Sequence, residues 1–401
     1  MKNKQVPEIR FRNYDDEWEM QKLKDVAKFI RGSFPQPYTN PDWYDEKNGQ
    51  PFVQVADIGF DLKLNKDTKL HISKIAEHKS RFVEKGKVVV ALQGSIETSI
   101  GRVAITQYPA FFDRTILIFE SYKVDIDNYY FAQVIQKLFH REKERAWGAT
   151  ISTITKEALS EFFIGLPDIE EQRKIGQFLK KLNDTISLHQ QELDTLKQTK
   201  QGFLQKMFPK EGKSVPEVRF PEFTEKWKIC KLGEIVDITM GQSPDGKNYT
   251  KNSNDHILVQ GNADIKNGWV SPRVWTTQVT KTASKGDIIL SVRAPVGDVG
   301  KTQYDVVLGR GVAGIKGNEF IFQLLSKMKI NGFWTKYSTG STFESINSTD
   351  LKEAMINIPS EVEQIKIGNF FKQLDDVIAL HQQELDALKQ TKKAFLQKMF
   401  V

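Results

Sequence analysis

Two stretches decide the reading of this chain: HQQELDTLKQTKQGFLQKMF at 189–208 and HQQELDALKQTKKAFLQKMF at 381–400. Seventeen of the twenty positions are identical, at an offset of 192. The same register runs backwards through Gly148/Gly340, Thr150/Thr342, Pro167/Pro359, Glu171-Gln172/Glu363-Gln364 and Ile175-Gly176/Ile367-Gly368. A second repeat opens each half. Val6-Pro-Glu-Ile-Arg-Phe11 returns as Val215-Pro-Glu-Val-Arg-Phe220, followed by Trp18/Trp227, Lys22-Leu23/Lys231-Leu232, Gly32/Gly241 and Pro35/Pro244, at an offset of 209. Similarity is low where the offset changes. Each half is therefore a constant frame around a variable insert, and the chain reads as two versions of one device with different specific jobs.

The constant blocks lie in proline-free segments with a narrow apolar stripe. In the first it runs Ile175, Leu179, Leu182, Ile186, His189, Leu193, Leu196, Lys200, Phe203, Met207. In the second it runs Ile367, Phe371, Leu374, Ile378, His381, Leu385, Leu388, Lys392, Phe395, Met399. Spacings that alternate four and three over more than four heptads are a coiled-coil seam. At 1.5 Å per residue each helix is about 50 Å long. The simplest partner for each is the other. A pseudo-twofold relation between the halves makes the pair antiparallel. His189 and His381 are expected to be polar seam residues that fix register rather than a metal or proton site. Lys200 and Lys392 are expected to snorkel or to face a partner subunit.

The 401 residues are enough for two to three domains. The single cysteine, Cys230, excludes an internal disulfide and a cysteine-based zinc site. The charged start MKNKQVPEIRFRNYDDEW has no apolar core of a secretory signal, and no run is long enough to span a membrane, so the expected location is cytoplasmic. The formal charge is +7. It is unevenly placed: segments 168–208 and 361–400 carry +1 and 0, whereas 1–167 and 209–360 carry +2 and +4. The basic excess lies outside the helices, which leaves the near-neutral rods for protein partners.

The inserts read as strand-rich with short helices. Val88–Leu92, Ile288–Val292 and Ile116–Phe119 are apolar strand candidates, and helical patterns occupy 128–145 and 319–330. The class is α/β (α+β), with a twisted, partly open sheet in each insert. Several segments mix glycine with cationic, amide and aromatic residues, notably Arg31–Tyr38, Ser291–Gly297 and Gly309-Arg310-Gly311. Glycine lets a backbone approach a phosphate, arginine can read guanine, and glutamine or asparagine can read adenine. The candidate DNA-contacting residues are Arg31, Ser33, Gln36, Tyr38, Arg102, Gln242, Ser243, Lys247, Arg293 and Arg310.

No catalytic or metal site is assigned. Gly241–Asn248 nearly matches a P-loop, but Asn248 stands where the magnesium-binding hydroxyl belongs. Asn40-Pro41-Asp42-Trp43 lacks the second proline of an amino-methyltransferase site, and Glu46-Lys47 has the wrong spacing for a nuclease after Pro41-Asp42. The repeated residues are scaffold types.

The whole pattern resembles the specificity subunit of type I restriction–modification systems. The residues that carry it are the Trp-x3-Lys-Leu entries (Trp18/Leu23 and Trp227/Leu232), the Gly-x-x-Pro turns and Lys285-Gly-Asp-Ile-Ile-Leu-Ser. Arg293-Ala-Pro-Val-Gly297 with Gly309–Ala313, the Gly-Ala-Thr and Gly-Ser-Thr turns and Pro-x3-Glu-Gln before each long helix complete it. Leu92-Gln-Gly-Ser-Ile96 departs from Val292-Arg-Ala-Pro-Val296 in the other half. The resemblance implies two target recognition domains (1–167, and 209–360 with a linker at 209–215) and two spacer helices (168–208 and 361–401) paired antiparallel in a pseudo-twofold arrangement. Their seam is Leu182, Ile186, Leu193 and Leu196 with Leu374, Ile378, Leu385 and Leu388. It further implies an asymmetric bipartite DNA target, two methyltransferase subunits docked on the helices, and restriction subunits in the full complex. No cofactor is expected on this chain; S-adenosylmethionine, ATP and Mg²⁺ are expected on the partners, in a bacterial or archaeal cytoplasm.

Overall fold

A computed structural model describes residues 6–94, 99–145, 156–337 and 345–401. The chain divides into two compact units, Met1–Gln191 with Gln383–Val401, and Glu192–Gln382. Four longer helices are α1 (Asn128–Arg145), α2 (Ile169–Lys206), α3 (Glu319–Ile330) and α4 (Glu361–Lys398). Each of the long helices α2 and α4 gives its first part to one unit and its last part to the other.

Within each unit the two long helices run antiparallel. In unit 1 Phe178 meets Phe395 edge-on at 4.9 Å, and His189 Nδ1 lies 3.9 Å from Glu384 Oε2. Unit 2 repeats the pattern: Phe203 meets Phe370 at 5.1 Å, and His381 Nδ1 lies 3.9 Å from Glu192 Oε2. Leu193 and Leu385 are fully buried, and the other leucines and isoleucines of the expected seam are half-buried. Lys200 pairs with the other long helix, its ammonium 2.5 Å from Asp375 Oδ1. One expectation needs correction: the helices stop at Lys206 and Lys398, one residue short of the last seam positions. Met207 and Met399 remain buried, their amides bonded to the Phe203 and Phe395 carbonyls at 2.7 and 2.8 Å.

The two inserts share one topology. In unit 1, β2 (Ala27–Arg31), β9 (Ile116–Tyr122), β6 (Val88–Ala91) and β7 (Val103–Ile105) form a sheet in the order β2-β9-β6-β7. A second sheet has the order β4 (Leu70–Ile72), β3 (Gln50–Val53), β8 (Ala110–Phe112), β5 (Arg81–Val83), with β3 and β8 parallel. Unit 2 repeats both. β12 (Asp237–Met240), β22 (Val312–Lys316), β19 (Ile288–Ser291) and β20 (Val299–Lys301) match the first sheet. β17 (Val274–Thr276), β14 (His256–Val259), β21 (Val306–Leu308) and β18 (Lys281–Ala283) match the second, again with one parallel pair, β14 and β21. Unit 2 extends the first sheet by two short strands, Trp269–Val270 and Ile265–Lys266, and the second by Tyr249–Thr250. The central strands β6 and β19 are buried along their whole length, which is why they read as continuous apolar runs. The Gly148/Gly340 and Thr150/Thr342 turns and Ser95-Ile96 lie outside the described residues.

The repeated frame residues build one clamp, twice. Glu171, at the start of α2, accepts hydrogen bonds from Arg10 Nε and Nη2 at 2.7 Å each and from Trp18 Nε1 at 3.2 Å. In unit 2, Glu363 accepts from Arg219 at 2.7 and 2.8 Å and from Trp227 at 3.3 Å. Gln172 and Gln364 cap the junctions, their amide nitrogens donating to the Pro167 and Pro359 carbonyls. A fork-shaped guanidinium on a buried carboxylate fixes geometry as well as charge. Each entry tryptophan also packs on a terminal phenylalanine of a constant block, Trp18 on Phe400 and Trp227 on Phe208.

Candidate nucleic-acid interface

The ends of four neighbouring strands in unit 2 open onto a cleft of about 560 Å³. Ser243 and Tyr249 reach it from the segment after β12, Gln260 and Asn262 from the turn after β14, Arg293 from the turn after β19, and Arg310 from the turn between β21 and β22. Glycine makes this convergence possible. A Cβ on Gly241 would lie 2.1 Å from the Gly309 carbonyl oxygen, and one on Gly311 would lie 2.1 Å from that of Gln260. The turns are tied together: the Arg310 amide donates to Ser243 Oγ at 3.1 Å, and Gln260 Nε2 donates to the Tyr249 hydroxyl at 3.0 Å. Asp264, buried behind the turn, accepts from the Gln260 amide at 2.8 Å and from Arg273 Nε at 2.8 Å.

The cleft lining holds two arginines, two amides, a serine and a tyrosine, and no carboxylate. Side chains of these types are the ones that contact phosphates and base edges in protein–DNA complexes. Three of the expected residues, Ser243, Arg293 and Arg310, thus come together, and both arginine side chains are exposed. Gln242 is exposed, its amide held by the Leu308 carbonyl. Lys247 is exposed beside Asp245 at 3.3 Å and is not part of the lining.

The matching place in unit 1 has different chemistry. Gly32 lies where Gly241 does; a Cβ there would meet the Asp113 carbonyl oxygen at 2.3 Å. Tyr38 donates a short hydrogen bond to Asp113, stacks on Phe34 at 5.2 Å and lies beneath the Arg114 guanidinium at 5.6 Å. Burial, then the Asp113 carboxylate, raises the Tyr38 hydroxyl well above the ordinary tyrosine range, so it remains a donor. Ser33 Oγ donates to the Lys79 carbonyl at 3.4 Å, Gln36 is exposed, and Arg31 ends strand β2 opposite Leu117. Arg102 belongs elsewhere: it donates to the Ile58 carbonyl at 3.1 Å and lines a different cavity.

Two positions escaped the sequence reading. Arg114 stands two residues before strand β9, as Arg310 stands two before β22. Gln54 follows strand β3 as Gln260 follows β14, since Val53 and Val259 hold equivalent carbonyls bonded to Asp113 and Gly309. A signal was present in Val53-Gln54…Ala56-Asp57 against Val259-Gln260…Ala263-Asp264, hidden by a one-residue insertion.

Sheet order, clamp and cleft define a duplicated recognition protein built on paired long helices. Residues 15–198 and 224–390 both match the family model described as the type I restriction modification DNA specificity domain, so the chain belongs to that family and is a specificity subunit, without a catalytic role of its own. It is 29% identical to the putative type I restriction enzyme MjaX specificity subunit of Methanocaldococcus jannaschii, over 95% of this chain and 92% of that protein. The MjaVIII specificity subunit of the same organism is 20% identical, over 95% and 91%. The fold is shared with the type I S subunit from M. genitalium (TM-score 0.66, 14% identity, 99% of both chains). It is also shared with a chain solved in work on assembly and conformational transition of the type I system (TM-score 0.57, 22% identity, 96% of this chain and 98% of that one).

Proposed function

We propose that this chain is the double-stranded-DNA-reading subunit of a type I restriction–modification complex. Each insert reads one half of an asymmetric bipartite target. The paired helices set the distance between half-sites and dock two methyltransferase subunits, which restriction subunits join. S-adenosylmethionine, ATP and Mg²⁺ belong to those partners, and the complex works in the cytoplasm. One observation carries this reading. The same strand ends in both units share an arginine, Arg310 and Arg114, but otherwise carry different side chains: Arg293 and Ser243 over a glycine floor in one, Tyr38 and Asp113 in the other. A common scaffold with exchanged reading groups suits two different half-sites. Among the described residues no helix is long and apolar enough to cross a membrane.

The test exchanges residues 24–165 for the insert of another family member. The methylated sequence is then mapped in a host that carries the methyltransferase. One half-site should change and the other persist. Two unchanged half-sites would sink the proposal.

A further inference from the structure

Unit 1 contains a second cavity, of about 460 Å³. Its walls are Gly59-Phe60, Ile100–Arg102, residues 136–141 of α1, and Lys389–Gln397 of α4. The lining includes four lysines, two arginines and a histidine, and no carboxylate.

Three of the four lysines recur in unit 2 as Lys327, Lys197 and Lys200, but the other four cationic positions are different. The Ala91 amide bonds the Arg102 carbonyl as the Ser291 amide bonds that of Asp298, so Arg102 corresponds to Asp298. Helices α1 and α3 align at an offset of 190, which sets His140 and Arg141 against Ile330 and Asn331. Lys393 corresponds to Gln201, one of only three differences between the twenty-residue blocks. Arg102, His140, Arg141 and Lys393 are therefore additions of unit 1 to a set of lysines that both halves carry.

A buried triad changes in the same direction. In unit 2, Lys200 sits on Asp375, whose other oxygen accepts from Gln323 Nε2 at 2.8 Å. The corresponding residues in unit 1 are Lys392, Asn183 and Gln133. The carboxylate is gone. Both polar atoms of the Gln133 amide and the Asn183 amide nitrogen are buried without a hydrogen-bond partner. Burial pushes the Lys392 ammonium below the ordinary lysine range, and burial together with Arg141 pushes Lys137 down to about 8. Clustered cations repel one another, and unit 2 answers its own lysine internally. In unit 1 Asp61 offsets Lys392 only in part, and the remaining positive charge of the lining favours an anion from outside. Beside the cluster, Phe60 is 71% exposed with the Arg102 guanidinium 4.1 Å over its ring. Aromatic faces beside cations favour nucleic acid, and lysines hold phosphate as point charges, whereas planar carboxylates favour arginine forks.

We propose that this cavity is a phosphate-binding pocket that takes the DNA backbone beside the half-site read by unit 1. The inference rests on the DNA-reading function proposed above. It gives the last turns of α4, otherwise a protein-docking rod, a share of the nucleic-acid contact.

The test is salt-dependent binding of the full chain, with its methyltransferase subunits, to a 40-base-pair duplex carrying the mapped target and to a scrambled duplex. Each neutralised phosphate adds about 0.9 to the slope of log K against log salt. The double variant Lys389→Gln/Lys393→Gln should lower the slope by roughly 2 on both duplexes and leave the preference between them intact. Asn183→Asp restores the carboxylate that Lys200 has in unit 2, and should lower the slope by about 1 while keeping the fold by circular dichroism. Lys197→Gln, in unit 2, should change nothing. Unchanged slopes in folded variants would overturn the pocket. So would loss of methyltransferase from the complex on a sizing column at an unchanged slope, which would assign the lysines to an acidic protein surface. If the wild-type complex itself does not prefer the mapped duplex, the DNA-reading proposal fails instead.

Discussion

The Glu171 clamp offers a quantitative test of how the frame is held. The Glu171 side chain is fully buried and that of Arg10 is 11% exposed. Glu171→Met leaves a nearly buried guanidinium without its anion, which costs about 3–5 kcal/mol. It also strips Trp18 Nε1 of its acceptor, adding about 1 kcal/mol. The double variant Arg10→Met/Glu171→Met removes both charges and fills similar volume. It should cost no more than about 2 kcal/mol, chiefly from the orphaned indole. The double variant should thus be at least roughly 2–4 kcal/mol more stable than Glu171→Met alone. Hydrogen exchange read by mass spectrometry, peptide by peptide in mild denaturant, localises the effect. Peptides from residues 6–30 and 163–180 should lose protection in Glu171→Met and largely regain it in the double variant. Glu363→Met should move the matching peptides of unit 2. A single variant within about 1 kcal/mol of wild type, or a double variant as costly as both singles together, would refute the reasoning.

Other outcomes follow from the same structure. Arg310→Ala should weaken binding at one half-site by about 1–3 kcal/mol if it meets a base, and Arg114→Ala should act on the other; equal losses at both half-sites in a gel-shift series would count against the assignment. Gly311→Ala forces a Cβ to 2.1 Å from the Gln260 carbonyl oxygen, so the cleft must shift. Thermal melting should show destabilisation well beyond the few tenths that surface substitutions give. Lys137 has its folded value lowered from 10.5 to about 8. Between those values the unfolded chain holds a proton that the folded one lacks, so stability should rise as pH climbs from about 8 towards 10.5. Lys137→Met should flatten that rise in denaturant titrations.

The helices and the frame were legible because their signals are local or repeated. A heptad stripe names its own partner face, and Arg10, Trp18 and Glu171 recur with Arg219, Trp227 and Glu363. The common topology of the inserts was not legible. Its strands are mostly two to five residues long, and their equivalence is written in backbone hydrogen bonds, which side chains need not repeat. Ala91 to Arg102 matches Ser291 to Asp298 with opposite charges at the second position. For the same reason Arg102 stood among the candidate residues although it lines a different cavity, while Arg114, which stands two residues before its strand as Arg310 does, carried no signal. The Lys200 contact was not legible because Asp375 lies 175 positions away in the chain, on the other long helix.

The Ile9 amide bonds the Lys398 carbonyl at 3.0 Å in unit 1, and the Val218 amide bonds the Lys206 carbonyl at 2.9 Å in unit 2. In the second case a short covalent run joins the partners; in the first they stand almost a full chain length apart. The same contact forms either way. The polypeptide between Phe208 and Val218 is therefore a tether that raises the effective concentration of one half for the other. A protein nicked there should remain a pair of associated fragments on a sizing column, held by the same contacts that close the other junction without a covalent link.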